Sequence, residues 1–300
     1  MTASKSEPAA AGDRLQAASL AKVNLTLRVI GRRTDGYHLL ESLVVFPAIG
    51  DFIEIEPARS LSLTLDGPQG FALDAGPENL VLRAALALRR EFALPEDLGA
   101  SIRLEKRLPV AGGIGGGSAN AATTLRLLSQ LWGVEASPSR LAAIGLEIGA
   151  DVPACLGAPQ AQMMRGIGER LSAAPPTPPF WLALVNPGVA VPTGEVFRKL
   201  DGRFSAPPAA PPESFSDFCE LASWLEEARN DLEPAAKALS PEIGDVLAEI
   251  GAQPGCALAR MSGSGGTCFG LFQEGDAAMR AAATIGAQHP AWWSAAGPVE

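Results

Sequence analysis

The residues with the clearest chemical meaning start at Pro109-Val110-Ala111. These lead into Gly112, Gly113, Ile114, Gly115, Gly116 and Gly117, and then into Ser118-Ala119. Glycine lets a backbone approach a ligand closely and take positive φ. Ser118 stands where an N-cap would open an apolar-periodic helix, and a helix start offers unpaired N–H groups and a positive dipole end. Glycines set against such a start make a phosphate site; the plainer alternative is a flexible loop that happens to precede a helix. Two familiar phosphate loops are excluded. A Walker A loop ends in Gly-Lys-Ser/Thr, and Gly117-Ser118 has no lysine; a dinucleotide fingerprint counted from Gly113 meets Ser118 where it needs glycine.

The elements that would position this loop can be read from periodicity. Residues 21–30 alternate, with Val23, Leu25, Leu27 and Val29 on one side and Lys22, Asn24, Thr26 and Arg28 on the other. That predicts one half-buried strand carrying Lys22 and Asn24 on its polar face. Arg32-Arg33-Thr34-Asp35-Gly36 reads as a hairpin turn. Tyr37, the only tyrosine, and His38, one of two histidines, lead to a second strand around 43–46. Residues 52–56 and 61–65 alternate again, so the first 70 residues read as a β-meander. A helix is predicted over 79–92, a strand over 101–107 feeding the glycines, and a helix after Ser118. Ser137-Pro138 opens a further helix. Asp151, within Gly149-Ala150-Asp151-Val152-Pro153, falls in a loop or at a helix start. Later come a strand at 181–185 and helices at 194–200, 215–229 and 241–250. Strands at 256–261 and 267–272 are joined through Ser262-Gly263-Ser264-Gly265-Gly266. The proline-rich stretches 175–179 and 206–212 read as surface loops. Strands first and helices interspersed later indicate an α+β fold.

Composition bounds the possibilities. Of 300 residues 47% are apolar and 19% charged, which is the balance of a globular protein with a substantial core. The net charge of −9 argues against nucleic acid as a partner. No apolar run is long enough to span a bilayer, so no membrane partner is expected. Residues 1–17 read as a disordered tail without a signal core. Cys155, Cys219, Cys256 and Cys268 lack metal or disulfide spacing and are expected as buried free thiols of a cytoplasmic protein.

The glycine run fits the Pro-x-x-x-Gly-(Leu/Ile)-Gly-(Gly/Ser)-(Gly/Ser)-Ser-(Ala/Ser) loop of the GHMP kinases. Ala21-Lys22-Val23-Asn24-Leu25 and Arg33-Thr34-Asp35-Gly36-Tyr37-His38 narrow the resemblance, as do Gly149-Ala150-Asp151-Val152-Pro153, Asn230-Asp231-Leu232-Glu233 and Met261-Ser262-Gly263-Ser264-Gly265. With these the chain resembles the diphosphocytidyl-methylerythritol kinases of the non-mevalonate isoprenoid pathway over nearly its whole length. The resemblance implies a two-lobed GHMP-kinase-like fold, with an N-terminal lobe over 18–162, a C-terminal lobe over 163–300 and the active site in the cleft between them. It implies ATP as phosphoryl donor, with Mg²⁺, and a cytidine diphosphate ester phosphorylated on its methylerythritol 2-hydroxyl.

Residue roles follow from the resemblance and from phosphoryl-transfer chemistry, in which a protein mainly positions reactants and neutralises charge. Asp151 is suited to deprotonate the acceptor hydroxyl, and Lys22 to keep that carboxylate ionised and offset phosphate charge. The simpler jobs are a helix N-cap for Asp151 and a solvated strand lysine for Lys22. Pro109 to Ala119 would hold ATP, with Asn79 at the adenine and Ser118 as a metal ligand. Tyr37 would stack on cytosine, His38 would hydrogen-bond it, and Phe197 would form the second stacking face, its alternative being ordinary core. Asn24 and Thr193 complete the acceptor set, Thr193 through the looser motif Val191-Pro192-Thr193-Gly194. The rival enzymes are homoserine and mevalonate-type kinases, and the rival class is a nucleotide-binding regulator without chemistry. Oligomeric state is not legible.

Overall fold

The computed structural model describes residues 14–200, 202, 204, 205 and 210–299. Residues 1–13 of the expected tail and 206–209 of the second proline-rich stretch lie outside the described residues. The last three residues of the expected tail, 15–17, are strand: β1 spans Leu15–Leu20.

In chain order, β2 (Val23–Asn24), β3 (Arg28–Arg32) and β4 (His38–Val45) are followed by β5 (Gly50–Ala58) and β6 (Leu61–Asp66). Helix α1 (Leu80–Glu91) then crosses to β7 (Gly99–Glu105), which leads to α2 (Gly116–Leu131). Helices α3 (Pro138–Ile148) and α4 (Val152–Leu156) precede β8 (Gln162–Gly166), β9 (Arg170–Ala173) and β10 (Phe180–Asn186). Four helices come next: α5 (Thr193–Lys199), α6 (Phe218–Glu227), α7 (Glu233–Leu239) and α8 (Glu242–Gly251). The chain closes with β11 (Cys256–Met261), β12 (Cys268–Phe272), α9 (Gly275–Gln288) and β13 (Trp293–Val299). Helix starts obey local chemistry: Ser137 caps α3 with Pro138 in its first turn, and the Asp217 carboxylate accepts from Glu220 N–H at 2.9 Å to cap α6. Among the described residues no helix is long and apolar enough to cross a membrane.

The chain forms two compact units. One gathers residues 14–19 with Gly50–Val110 and Gly117–Leu156. Its sheet runs β1-β5-β7-β6, with β7 antiparallel to β5 and parallel to β6. The expected meander is therefore incorrect. The β6–α1–β7 crossover places β7 between β5 and β6, so these sequence neighbours do not pair, and β4 belongs to another sheet.

The other unit gathers Leu20–Ile49, Ala111–Gly116 and the chain from Gly157 onward. One of its sheets runs β2-β4-β8-β9 with β3 also on β4, and a second runs β11-β12-β10-β13. Its core includes Leu27, Val29, Val185, Val246, Ile250 and Met261. The single strand expected over 21–30 is split, because Leu27 turns aside to bridge Asn230. Leu27 N–H donates to Arg229 O at 3.1 Å, and Asp231 N–H donates to Leu27 O at 2.8 Å. Among the cysteines, none of which forms a disulfide, Cys155 and Cys268 are buried as expected, but Cys219 is exposed on α6.

Candidate active site

The glycine loop is fixed at its entrance by a buried ion pair. Lys106 Nζ donates to Asp51 Oδ2 at 2.6 Å, and Arg107 and Leu108 N–H each donate to Asp51 Oδ1 at 2.8 Å. Both charged side chains are almost wholly buried, at 3% and 0% exposure. Burial pushes the Lys106 ammonium below its ordinary pKa, and the Asp51 carboxylate pulls it partly back up.

Within the loop Ala111, Gly113 and Gly115 take φ of 56°, 72° and 62°. The loop lies against the turn that joins β11 to β12. Gly112 O accepts from Thr267 N–H at 3.0 Å and from the Thr267 hydroxyl at 2.6 Å. That hydroxyl in turn accepts from Asn186 Nδ2 at 2.9 Å. A Cβ on Gly113 would stand 2.1 Å from Gly265 O, so only glycine permits this approach. The positive φ at Gly115 turns the chain straight into α2, which therefore begins at Gly116. Ser118 is inside the first turn rather than at the N-cap. Ala119, which follows it, is buried, and Ser118 Oγ lies 3.8 Å from where a Gly149 Cβ would sit.

Lys22 and Asn24 are 3% and 2% exposed, so the polar face of the strand expected to be half-buried is enclosed at both positions. Burial of so polar a face is offset by pairing. Lys22 N–H donates to Ile114 O in the glycine loop at 2.9 Å. Asn24 N–H donates to Ser262 Oγ at 3.0 Å, and Asn24 Nδ2 to Ser42 Oγ at 2.8 Å. Thr26 Oγ1 accepts from Leu43 N–H at 2.9 Å.

The hairpin turn forms as read, with Gly36 at φ 93° and Gly36 N–H donating to Arg33 O at 3.0 Å. It presents Tyr37 at 61% exposure. His38 opens β4, and Phe197 of α5 stacks on its imidazole with centroids 4.8 Å apart and planes at 25°. Phe197 also packs on the core, which is the alternative weighed for it. Partial burial and the Arg32 guanidinium hold the His38 pKa below its ordinary value, which favours the neutral ring. Thr193, at the start of α5, shares a 2.8 Å hydroxyl contact with Ser264 of the second glycine turn.

Asp151 immediately precedes α4, and its carbonyl accepts from Cys155 N–H at 3.1 Å. It lies two residues beyond Gly149, in the same unit as Ser118. Asn79 caps α1, accepting from Val81 N–H at 3.0 Å while its Nδ2 donates to Asp74 O at 2.8 Å. Among the described residues no cluster of three or more His, Cys, Asp or Glu could hold a metal. The single hydroxyl of Ser118 fits Mg²⁺ held mainly by phosphate oxygens and water.

Several supporting residues had no role assigned from the sequence. Asp51 and Thr267 act on the loop only through contacts 55 and 155 residues away. Asn230 Nδ2 donates to both Met261 O and Gly263 O at 2.8 Å. The buried Arg260 guanidinium donates to Leu25 O at 2.9 Å and Ala228 O at 2.7 Å, and burial pushes its pKa down to about 10. The Asn230–Glu233 motif, noticed only as a resemblance, thus clamps both the Leu27–Val29 segment and the second glycine turn.

Comparison with known proteins agrees with this arrangement. Residues 79–158 match the GHMP kinases N terminal domain and residues 212–291 the GHMP kinases C terminal domain. A 4-diphosphocytidyl-2-C-methyl-D-erythritol kinase of Paramagnetospirillum magneticum is 53% identical over 277 residues, covering 92% of this chain and 95% of that protein. A crystal structure of 4-(cytidine 5'-diphospho)-2C-methyl-D-erythritol kinase superposes with a TM-score of 0.74 at 35% identity, covering 95% of this chain and 98% of that one. Homoserine kinase from Cytophaga hutchinsonii has a TM-score of 0.66 at 18% identity, covers 99% and 96% of the two chains, and shares the fold alone. A GHMP loop buttressed from both ends, together with relatives identical at half of all positions, places the chain in the 4-diphosphocytidyl-2-C-methyl-D-erythritol kinase family of small-molecule kinases.

Proposed function

We propose that this chain transfers the γ-phosphoryl group of ATP to the 2-hydroxyl of the methylerythritol moiety of 4-diphosphocytidyl-2-C-methyl-D-erythritol. Beside family membership, one observation carries the reading: the 2.9 Å bond from Lys22 N–H to Ile114 O. It ties the segment bearing Lys22 and Asn24 directly to the glycine loop. In this reading Pro109 to Ala119 hold the phosphates through backbone N–H groups and the α2 dipole, with Asn79 at the adenine. Tyr37, His38, Phe197, Thr193 and Asn24 hold the acceptor.

Asp151 takes the proton of the acceptor hydroxyl as its oxygen bonds to the γ-phosphorus. The bond from phosphorus to the β–γ bridging oxygen breaks, and ADP leaves. Lys22 offsets negative charge on the group in transfer. Mg²⁺, when bound, would neutralise phosphate charge, and Ser118 would be its protein ligand. The substrates are free small molecules in the cytoplasm. ADP release measured side by side with the cytidyl ester, homoserine and mevalonate tests the assignment. Turnover is expected with the first alone, and faster turnover of either rival would overturn it.

A further inference from the structure

Phe204 leaves 41% of its surface exposed at a place where aromatic rings already gather. Its ring stands edge-on to His38, with centroids 6.3 Å apart and planes at 64°. Phe197 covers a face of the same imidazole, and Tyr37, the residue before His38, is itself exposed. Phe204 is not held there by burial. Its neighbour Ser205 is pinned instead: Ser205 N–H donates to Val29 O at 3.0 Å, and Ser205 Oγ donates to Asp231 Oδ1 at 2.9 Å. The same carboxylate accepts from Val29 N–H at 2.8 Å, so strand β3, Asp231 and Ser205 form one hydrogen-bonded unit beside the ring.

Single exposed apolar residues need no explanation. An exposed phenylalanine that is anchored next door, and that meets a histidine already stacked on a second phenylalanine, is a different matter. The arrangement holds a flat, apolar wall ready for a flat ligand at no cost in ordering it later. We propose that Phe204 is a further substrate-contacting residue of the acceptor pocket, forming an aromatic wall against the pyrimidine base of the cytidine diphosphate ester. The inference rests on the reading of Tyr37, His38 and Phe197 as the base pocket. It assigns to Phe204 selection for a small aromatic base, because an edge-on ring beside His38 bounds the space that the base can occupy.

The test compares Phe204→Ala, Phe204→Tyr and Tyr37→Ala by steady-state kinetics, CMP titration calorimetry and thermal melts. Phe204→Ala is expected to raise the acceptor KM and weaken CMP binding by roughly 2- to 10-fold, the worth of an edge-type aromatic contact. ATP KM and melting temperature should stay unchanged, and Phe204→Tyr should restore both acceptor measures. If Tyr37→Ala raises the acceptor KM while Phe204→Ala changes neither KM nor CMP affinity, Phe204 is no wall and the base pocket stands without it. If neither variant affects CMP or acceptor, the base-pocket reading itself fails. Equal damage to both substrates, or a lowered melting temperature, would assign Phe204 a structural role and overturn the proposal.

Discussion

Replacing Asp51 by asparagine removes one charge from the buried group at the mouth of the glycine loop and almost nothing else. The asparagine oxygen can still accept from Arg107 and Leu108 N–H, each now 2.8 Å from Asp51 Oδ1. Its amide would instead face Lys106 Nζ, which now lies 2.6 Å from Oδ2, so donor would meet donor. A buried ion pair broken from one side typically costs about 3–5 kcal/mol, because the remaining charge is left without compensation. With Lys106 3% exposed, solvent offers little relief, and the expected loss at pH 7 lies within that range.

The loss should depend on pH with a definite sign. Burial already depresses the Lys106 pKa, and Asp51 supplies both effects that raise it, by charge and by hydrogen bond. Without them the folded-state pKa falls further below the unfolded value. The unfolded chain then binds more protons, so stability rises with pH. The penalty is complete below the folded pKa and fades as pH climbs towards the ordinary lysine range near 10.4. Urea unfolding at a series of pH values from 7 to 9.5 would show the gap between variant and parent narrowing. A loss below about 1 kcal/mol at pH 7, or a gap that stays constant with pH, would refute the reasoning.

Asp151→Asn should lower kcat by roughly 10²–10⁴ with near-normal binding of both substrates, whereas a residue serving only as a cap would leave turnover almost intact. Thermal melts must accompany that assay so that unfolding is not mistaken for lost chemistry. Gly113→Ala places a Cβ 2.1 Å from Gly265 O at a φ of 72°, so the two glycine turns must separate. Calorimetry should then show ATP binding lost, and unchanged affinity would remove this contact from the nucleotide site. The His38 pKa lies below its ordinary 6.5 through burial and Arg32. Acceptor KM should accordingly be flat at neutral pH and rise only below that value. Arg32→Gln should move the inflection upward, and an inflection already above 6.5 in the parent enzyme would contradict the assignment.

What the sequence disclosed followed the range of each interaction. The Arg33–Gly36 turn, the Ser137 cap and the β11–β12 pair are set by neighbours within a few residues, and they appear where periodicity and turn chemistry put them. The alternation over 21–30 was visible, but its polar face was misjudged. Asn24 finds its partner Ser262 at a separation of 238 residues, and no local pattern distinguishes that from a wet strand face. The meander failed for a similar reason, since the strand that separates β5 from β6 arrives only at Gly99. Helix α9 went unread, although Ala278, Ala281, Ala282 and Ile285 form its buried face. Residues with chemical meaning were legible by type, whereas Asp51, Thr267 and Arg260, which hold them in place, were not, and Asn230 was legible only as part of a motif.

The bonds that fix residues 22–29 also impose an order of events during synthesis. Lys22 leans on Ile114, Asn24 on Ser262, Leu25 on Arg260, Leu27 on Arg229 and Asp231, and Val29 on Asp231. A nascent chain therefore emits this segment before its later partners and can complete its bonds only after residue 262 has left the ribosome. Until then Asn24 and Thr26 have Ser42 and Leu43 of β4 as partners, but the bonds to Arg260 and Ser262 are unmade, so the segment stays part-solvated while later sequence folds. Asn24, proposed to hold the acceptor, is therefore fully fixed only once the carboxyl-terminal third has been made.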